Sequence, residues 1–158
     1  MSRSSKHPSL SFNLALPMVR EASGDECRTP ADCARLLGDI ANADREFFTV
    51  LTLNTKYRVI DKHLVSIGIV DACLVHPREV FRAAISDNAS ALIVCHNHPS
   101  GDTSPSREDI KITRQLIEAG RIIDIEILDH VIIGRPNERN PQGFTSLRES
   151  GLVSFSAT

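Results

Sequence analysis

The sequence predicts an α/β or α+β domain in which a mixed β-sheet is flanked by helices, and three observations carry that reading. Residues 91–95, Ala-Leu-Ile-Val-Cys, form a continuous apolar run of the length expected for a buried central strand. Two segments, one holding Val80, Phe81, Ala84 and Ile85 and the other Ile110, Ile112, Leu116 and Ile117, repeat apolar residues at helical spacing behind Pro77 and Ser106. Strand and helix patterns alternate along the chain, but without the repeated βαβ units or the glycine fingerprint of a nucleotide-binding fold.

Each element follows from local chemistry. Residues 1–28 mix Ser, Pro, His, Asn and charges without a period and read as a loosely ordered leader, so the domain proper is expected over 29–158. Thr29 is a plausible helix cap and Pro30 suits the first helical position; Ala34, Leu36, Leu37 and Ile40 then predict a helix ending near Asn42. Residues 46–54 are aromatic, β-branched and apolar, stop at the turn-prone Asn54-Thr-Lys56, and predict a strand, with a second strand beginning at Tyr57 to complete a hairpin. After Gly68 and residues 69–75, His76-Pro77 opens an amphipathic helix that Asp87-Asn88 ends. The central strand, 91–95, leads into His96-Asn97-His98 and a loop through Pro99, Gly101 and Pro105. A helix from Ser106 is expected to close at Gly120, followed by two strands, 122–128 and 131–133, a polar loop over 135–143 and a short terminal segment over 144–152.

Composition narrows the function classes. A chain of 158 residues with 41% hydrophobic content can bury a core without disulfides or a structural metal. Eighteen basic against 20 acidic side chains give a net charge of -2, so nucleic-acid binding would need a local patch and draws no support from overall charge. Cys27, Cys33, Cys73 and Cys95 make no CxxC pair and are expected as reduced thiols in a cytoplasmic protein. The apolar stretch over 10–19 is broken by Asn13 and Pro17, which argues against a signal peptide, and no run reaches the ~18 apolar residues of a membrane span. Exposed strand edges leave a homodimer open.

The chemistry concentrates in residues 96–109. Residues two apart in a strand share a face, so His96 and His98 can turn two imidazoles toward one point. Asp109, in the first turn of the next helix, can be returned to them by the intervening loop, and two imidazoles with a carboxylate and an open fourth position make the donor set of a catalytic zinc site. Zinc there would bring the pKa of a bound water toward neutrality. Each residue also has a structural reading. Histidine pairs in strands are often surface or hydrogen-bonded core groups, and Ser106-x-x-Asp109 resembles a capping box that draws on the same carboxylate, so one of Asp109's two roles is expected to dominate. Cys95 alternates to the opposite face as a small buried hydrophobe, and Asp102 and Glu108 read as solvated charges. His63, His76 and His130 read as structural, with His130 placed to support the site from behind a ligand.

The string HNHPSGDTSPSRED resembles the JAMM motif of MPN-type metallopeptidases, an upstream glutamate followed by H-x-H, seven residues, Ser, two residues and Asp. With HPRE upstream and DHVIIG downstream, the resemblance is to the RadC-like branch and covers about residues 28–153. It implies a JAB/MPN-like mixed sheet flanked by helices with cytidine-deaminase-like layering, and a zinc held by His96, His98 and Asp109. It further implies a water activated by a glutamate and a motif serine, Ser106, that orients the water or stabilises the oxyanion. Glu46, at the start of its strand, is favoured as that glutamate over Glu79 on the following helix, because a strand beside the central strand is better placed to face the site. The resemblance does not extend to the family's N-terminal helix-hairpin-helix region, so a short form without that DNA-contacting module is expected and DNA repair is not the leading expectation. The leading expectation is a zinc-dependent peptidase or isopeptidase acting on a peptide or protein. A noncatalytic DNA-repair-associated or scaffold module is the alternative, and a metal-dependent nuclease ranks below both, because HNH nucleases take their name from dispersed residues.

Overall fold

The computed structural model describes residues 22, 24–68 and 75–156. Strands β1 (Phe47–Leu53), β2 (Val59–Ile67), β3 (Ala91–Asn97), β4 (Glu126–Ile133) and β5 (Phe144–Ser146) form one mixed sheet in the order β2-β1-β3-β4-β5. Only β3 and β4 run parallel, because the helix between them returns the chain to the same end of the sheet; every other neighbour is antiparallel. Helices α1 (Pro30–Leu36), α2 (Pro77–Ser86) and α3 (Arg107–Ile123) cover the two faces.

The faces follow from strand alternation. Phe48, Val50, Leu92, Val94 and Ile132 pack under α2 and α3 against Val80, Phe81, Ile112 and Leu116. Leu51, Leu53, Ile93, Cys95, Val131 and Ile133 turn the other way and meet Cys33 and Leu37 beside α1. All seven residues of β3 are buried, so this strand is the spine of the molecule and its continuous apolar run is explained. Each large side chain so buried contributes about 1.5–3 kcal/mol, which anchors the end of β3 where the histidines emerge.

Several expected boundaries move, each for a local reason. The helix expected through Asn42 divides: Leu37 leaves helical geometry to bury itself, and Gly38–Asn42 continues as a 3₁₀ turn. Tyr57 belongs to the turn instead of the second strand; the Asn54 side chain accepts from the amides of Lys56 and Arg58 and holds Tyr57 at a φ of 59°. Helix α3 runs past Gly120 to Ile123 and is ended by Asp124 at a φ of 58°. Gly120 serves close approach instead, since a Cβ there would lie 2.4 Å from the Ile125 carbonyl oxygen. The two strands expected over 122–133 are the single β4: Ile122 and Ile123 are helical and exposed, and the polar Asp129-His130 pair continues the strand because both side chains find buried partners. Ile85, expected in an apolar stripe, is 64% exposed.

Residues 1–21 of the expected leader lie outside the described residues, as do 69–74 with Cys73. Residues 24–28 run beside the start of β2, where Glu26 bridges to Arg58 and Cys27 is fully buried. Cys27, Cys33 and Cys95 are free thiols. Among the described residues, no helix is long and apolar enough to cross a membrane.

Candidate metal centre

Three elements meet at the carboxyl end of β3. His96, next to last in that buried run, faces α3, and His98 follows two residues later on the same side. The loop after it is pressed against the end of β4. Gly101 turns with a φ of 84°, a Cβ on Gly134 would lie 2.3 Å from the Gly101 carbonyl oxygen, and the Arg135 guanidinium donates to the carbonyls of Pro99 and Ser100 at 3.1 and 3.0 Å. The loop then presents the Asp102 carbonyl 2.6 Å from His98 Nδ1 and delivers Ser106 as the cap of α3. Asp109 lies in the first turn of α3, where the helix dipole favours its negative charge.

The donor atoms converge. His96 Nε2 and His98 Nε2 are 3.0 Å apart, and Asp109 places Oδ1 3.2 Å from the first and Oδ2 3.5 Å from the second. Four ligands at zinc bond lengths of about 2.0–2.1 Å occupy a tetrahedron whose edges are about 3.3–3.4 Å, so the His96–His98 and His96–Asp109 Oδ1 separations come close to two edges of such a site. The His96 side chain is fully buried, that of Asp109 2% exposed and that of His98 15%, which leaves the approach on the His98 side. The residues present therefore fit a divalent metal.

Electrostatics agree with the geometry. Burial alone would raise the carboxyl of Asp109, but the imidazoles of His96 and His98 and the Ser106 amide outweigh it and hold it well below the usual carboxylate range. Burial would lower His98, but Asp109, the Asp102 carbonyl and the negative charge of Glu46 raise it above its ordinary value. The two roles expected to compete for Asp109 coexist: Oδ2 accepts from the Ser106 amide at 2.8 Å while the Asp109 amide donates to Ser106 Oγ at 3.0 Å, and Oδ1 is left turned toward His96. A carboxylate with two oxygens can close the capping box and still face a cation.

Glu46 stands half-buried immediately before β1, one residue from the strand that pairs with β3, and its charge reaches His98. Glu79 is exposed on α2 and accepts from the His76 amide at 3.3 Å, closing that helix's own capping box away from the cluster. Cys95 points to the opposite face, and the Asp102 side chain binds Ser104. His130 lies directly behind His96, with Nε2 2.7 Å from His96 Nδ1, and Phe48 stacks on the His96 ring at 6.1 Å. His63 instead meets Asp87 at 2.6 Å, in a second group with Asp61.

Two residues near the site escaped sequence reasoning. Asn97 is fully buried between the histidines; its side chain accepts from the Phe47 amide at 2.7 Å and donates to the Arg45 carbonyl at 2.9 Å, clamping the backbone on both sides of Glu46. A polar residue at a strand position that must be buried was the available signal. Thr113, a fully buried residue of α3, hydrogen-bonds His130.

This arrangement defines a class: a mixed α/β domain whose central strand ends in a His-x-His pair completed by a carboxylate from the next helix. The RadC-like JAB domain model matches residues 27–152, and the chain belongs to that family. A "UPF0758 protein" of Desulforamulus reducens is 49% identical over 127 residues, covering 80% of this chain and 53% of the relative. One from Symbiobacterium thermophilum is 50% identical over 129 residues, with 82% and 53% covered. One from Bacillus cereus strain AH187 is 48% identical over 145 residues, with 90% and 62% covered. The chain thus spans between about half and three-fifths of the length of these relatives.

Proposed function

We propose that the protein is a zinc-dependent metallohydrolase, specifically a peptidase or isopeptidase. The observation that carries this reading is the convergence of His96, His98 and Asp109 at 3.0–3.5 Å with an approach left on the His98 side. His96, His98 and Asp109 would hold the metal, which when bound polarises a carbonyl oxygen and lowers the pKa of a coordinated water toward neutrality. Glu46 takes a proton from the attacking water and returns it to the departing amine, so that the carboxylate is regenerated when the C–N bond has broken. Ser106 keeps a hydroxyl proton to donate while its oxygen accepts from the Asp109 amide, and it stands ready to orient the water or the developing oxyanion.

A peptide or protein substrate is supported by the groove of about 880 Å³ beside the His98 loop, lined by Asp102, Ser104, Glu138, Arg139 and Gln142 among others, whose charged and polar groups suit a polar chain. Three buried free thiols favour a reducing, cytoplasmic setting. The test is hydrolysis of a panel of peptides and isopeptides by the zinc-loaded protein. Cleavage that is lost in Glu46→Gln with zinc retained is expected, and cleavage unchanged in Glu46→Gln would reject the assignment of the base.

A further inference from the structure

Behind His96 runs a file of hydrogen bonds whose direction is set by one group that cannot donate. Thr113 Oγ1 sits 2.5 Å from the Asp109 carbonyl oxygen, the residue four positions back in α3, and 2.6 Å from His130 Nδ1. A carbonyl only accepts, so the single hydroxyl proton of Thr113 goes to Asp109, and toward His130 the threonine oxygen acts as acceptor. His130 Nδ1 therefore carries a proton and donates it to Thr113. Burying a cation without an ion partner is costly, and the fully buried His130 ring sets its two nitrogens against a hydroxyl and a second imidazole, so with Nδ1 protonated its Nε2 keeps a lone pair. That nitrogen lies 2.7 Å from His96 Nδ1, which must then be the donor. His96, protonated on Nδ1, turns an unprotonated Nε2 toward His98 and Asp109.

We propose that Thr113 and His130 are positioning residues that fix His96 in the tautomer whose Nε2 lone pair faces the metal, with the Asp109 backbone carbonyl as the origin of the polarity. Asp109 then contributes twice to the same centre: its carboxylate faces the cation and its carbonyl orders the protons of another ligand. His98 is set independently, because Nδ1 must donate to the Asp102 carbonyl 2.6 Å away and Nε2 is left for the metal. Phe48, stacked on His96 and edge-on to His130 at 5.8 Å, holds both rings in the planes this file requires. The inference rests on the metal reading above for its purpose, but the tautomers exist without metal.

The test therefore starts on metal-free protein. Nitrogen-15 NMR of the histidine rings in the wild type is expected to show His96 and His130 both protonated on Nδ1. Thr113→Val is expected to disturb that pattern and to weaken zinc binding by about 10–100-fold, with Thr113→Ser restoring both. Wild-type His96 protonated on Nε2 would overturn the proposal whether or not the valine variant folds, as would a Thr113→Val protein with wild-type tautomers and wild-type zinc affinity. Expected tautomers in a wild type that takes up no zinc would uphold the ordering of the protons and reject the metal reading instead.

Discussion

His96, His98 and Asp109 at one end of the sheet, and Asp61, His63 and Asp87 toward the other, are built on the same plan: two residues spaced two apart near a strand and a carboxylate from a helix terminus. Along β1 they are separated by the four residue steps from Phe48 to Thr52, about 13 Å of strand. They differ in where protons can sit. In the second group His63 Nε2 lies 2.6 Å from Asp87 Oδ2, a hydrogen-bond length, and Thr52 Oγ1 donates to the same oxygen at 2.7 Å. Asp87 is the C-cap of α2, where the helix dipole opposes a negative charge, so its carboxylate is held by donors. In the first group Asp109 is in the opening turn of α3, the favourable end, and both histidines have spent their Nδ1 protons on other acceptors. The comparison teaches that a metal centre is marked less by which residues gather than by how their protons have been committed beforehand.

The sharpest way to break the comparison is to remove one carboxylate from each group. Asp109→Asn is expected to lower zinc affinity by more than the ~100-fold that loss of a supporting contact costs, whereas Asp87→Asn should leave it unchanged; titration against a zinc-binding chromophore measures both. At the level of turnover, Glu46→Gln is expected to reduce hydrolysis by about 10²–10⁴-fold with zinc retained, and Glu79→Gln to leave hydrolysis at the wild-type rate. Asn97→Ala should fall between, keeping zinc but losing turnover as Glu46 comes loose, with a stability cost of about 1–3 kcal/mol for each buried group left unpaired, seen by urea unfolding.

The pH dependence of zinc binding sharpens the same contrast. His98 has a pKa raised above its ordinary 6.5 by Asp109, the Asp102 carbonyl and Glu46 despite its burial, so below that raised pKa a proton on Nε2 competes with the metal. Affinity is therefore expected to fall about tenfold per pH unit below that raised pKa and to level off above it, with about one proton released per zinc bound. The smallest effect is expected at the second group: Thr52→Val, which removes one donor to Asp87, should cost about 1–3 kcal/mol of stability and leave zinc binding untouched.

The candidate site was legible where its geometry is periodic. Strand alternation alone puts His96 and His98 on one face and Cys95 on the other, and the helix-start pattern at Ser106 puts Asp109 in the first turn. What the pattern could not show was that one carboxylate can serve the cap with Oδ2 and leave Oδ1 for the cluster, because that depends on rotation about a single bond. Asn97 and Thr113 were missed for a related reason: the importance of each lies in a partner far along the chain, Arg45 and Phe47 for one and His130 for the other, and only Asn97, polar in a buried strand, carried a signal of it. The same blindness split β4. Asp129 and His130 looked like an interruption because their buried partners, Ser146 on β5 and Thr113 on α3, are supplied by tertiary structure. Gly120 read as a helix stop because a glycine that ends a helix and one that admits a neighbouring backbone are the same letter.

The most direct measurement is zinc content per chain of the purified wild type beside Asp109→Asn and His63→Ala. One zinc in the wild type and in His63→Ala, with none in Asp109→Asn, is the expected result. Zinc kept by Asp109→Asn and lost from His63→Ala would place the metal in the other group and contradict the centre described at the end of β3.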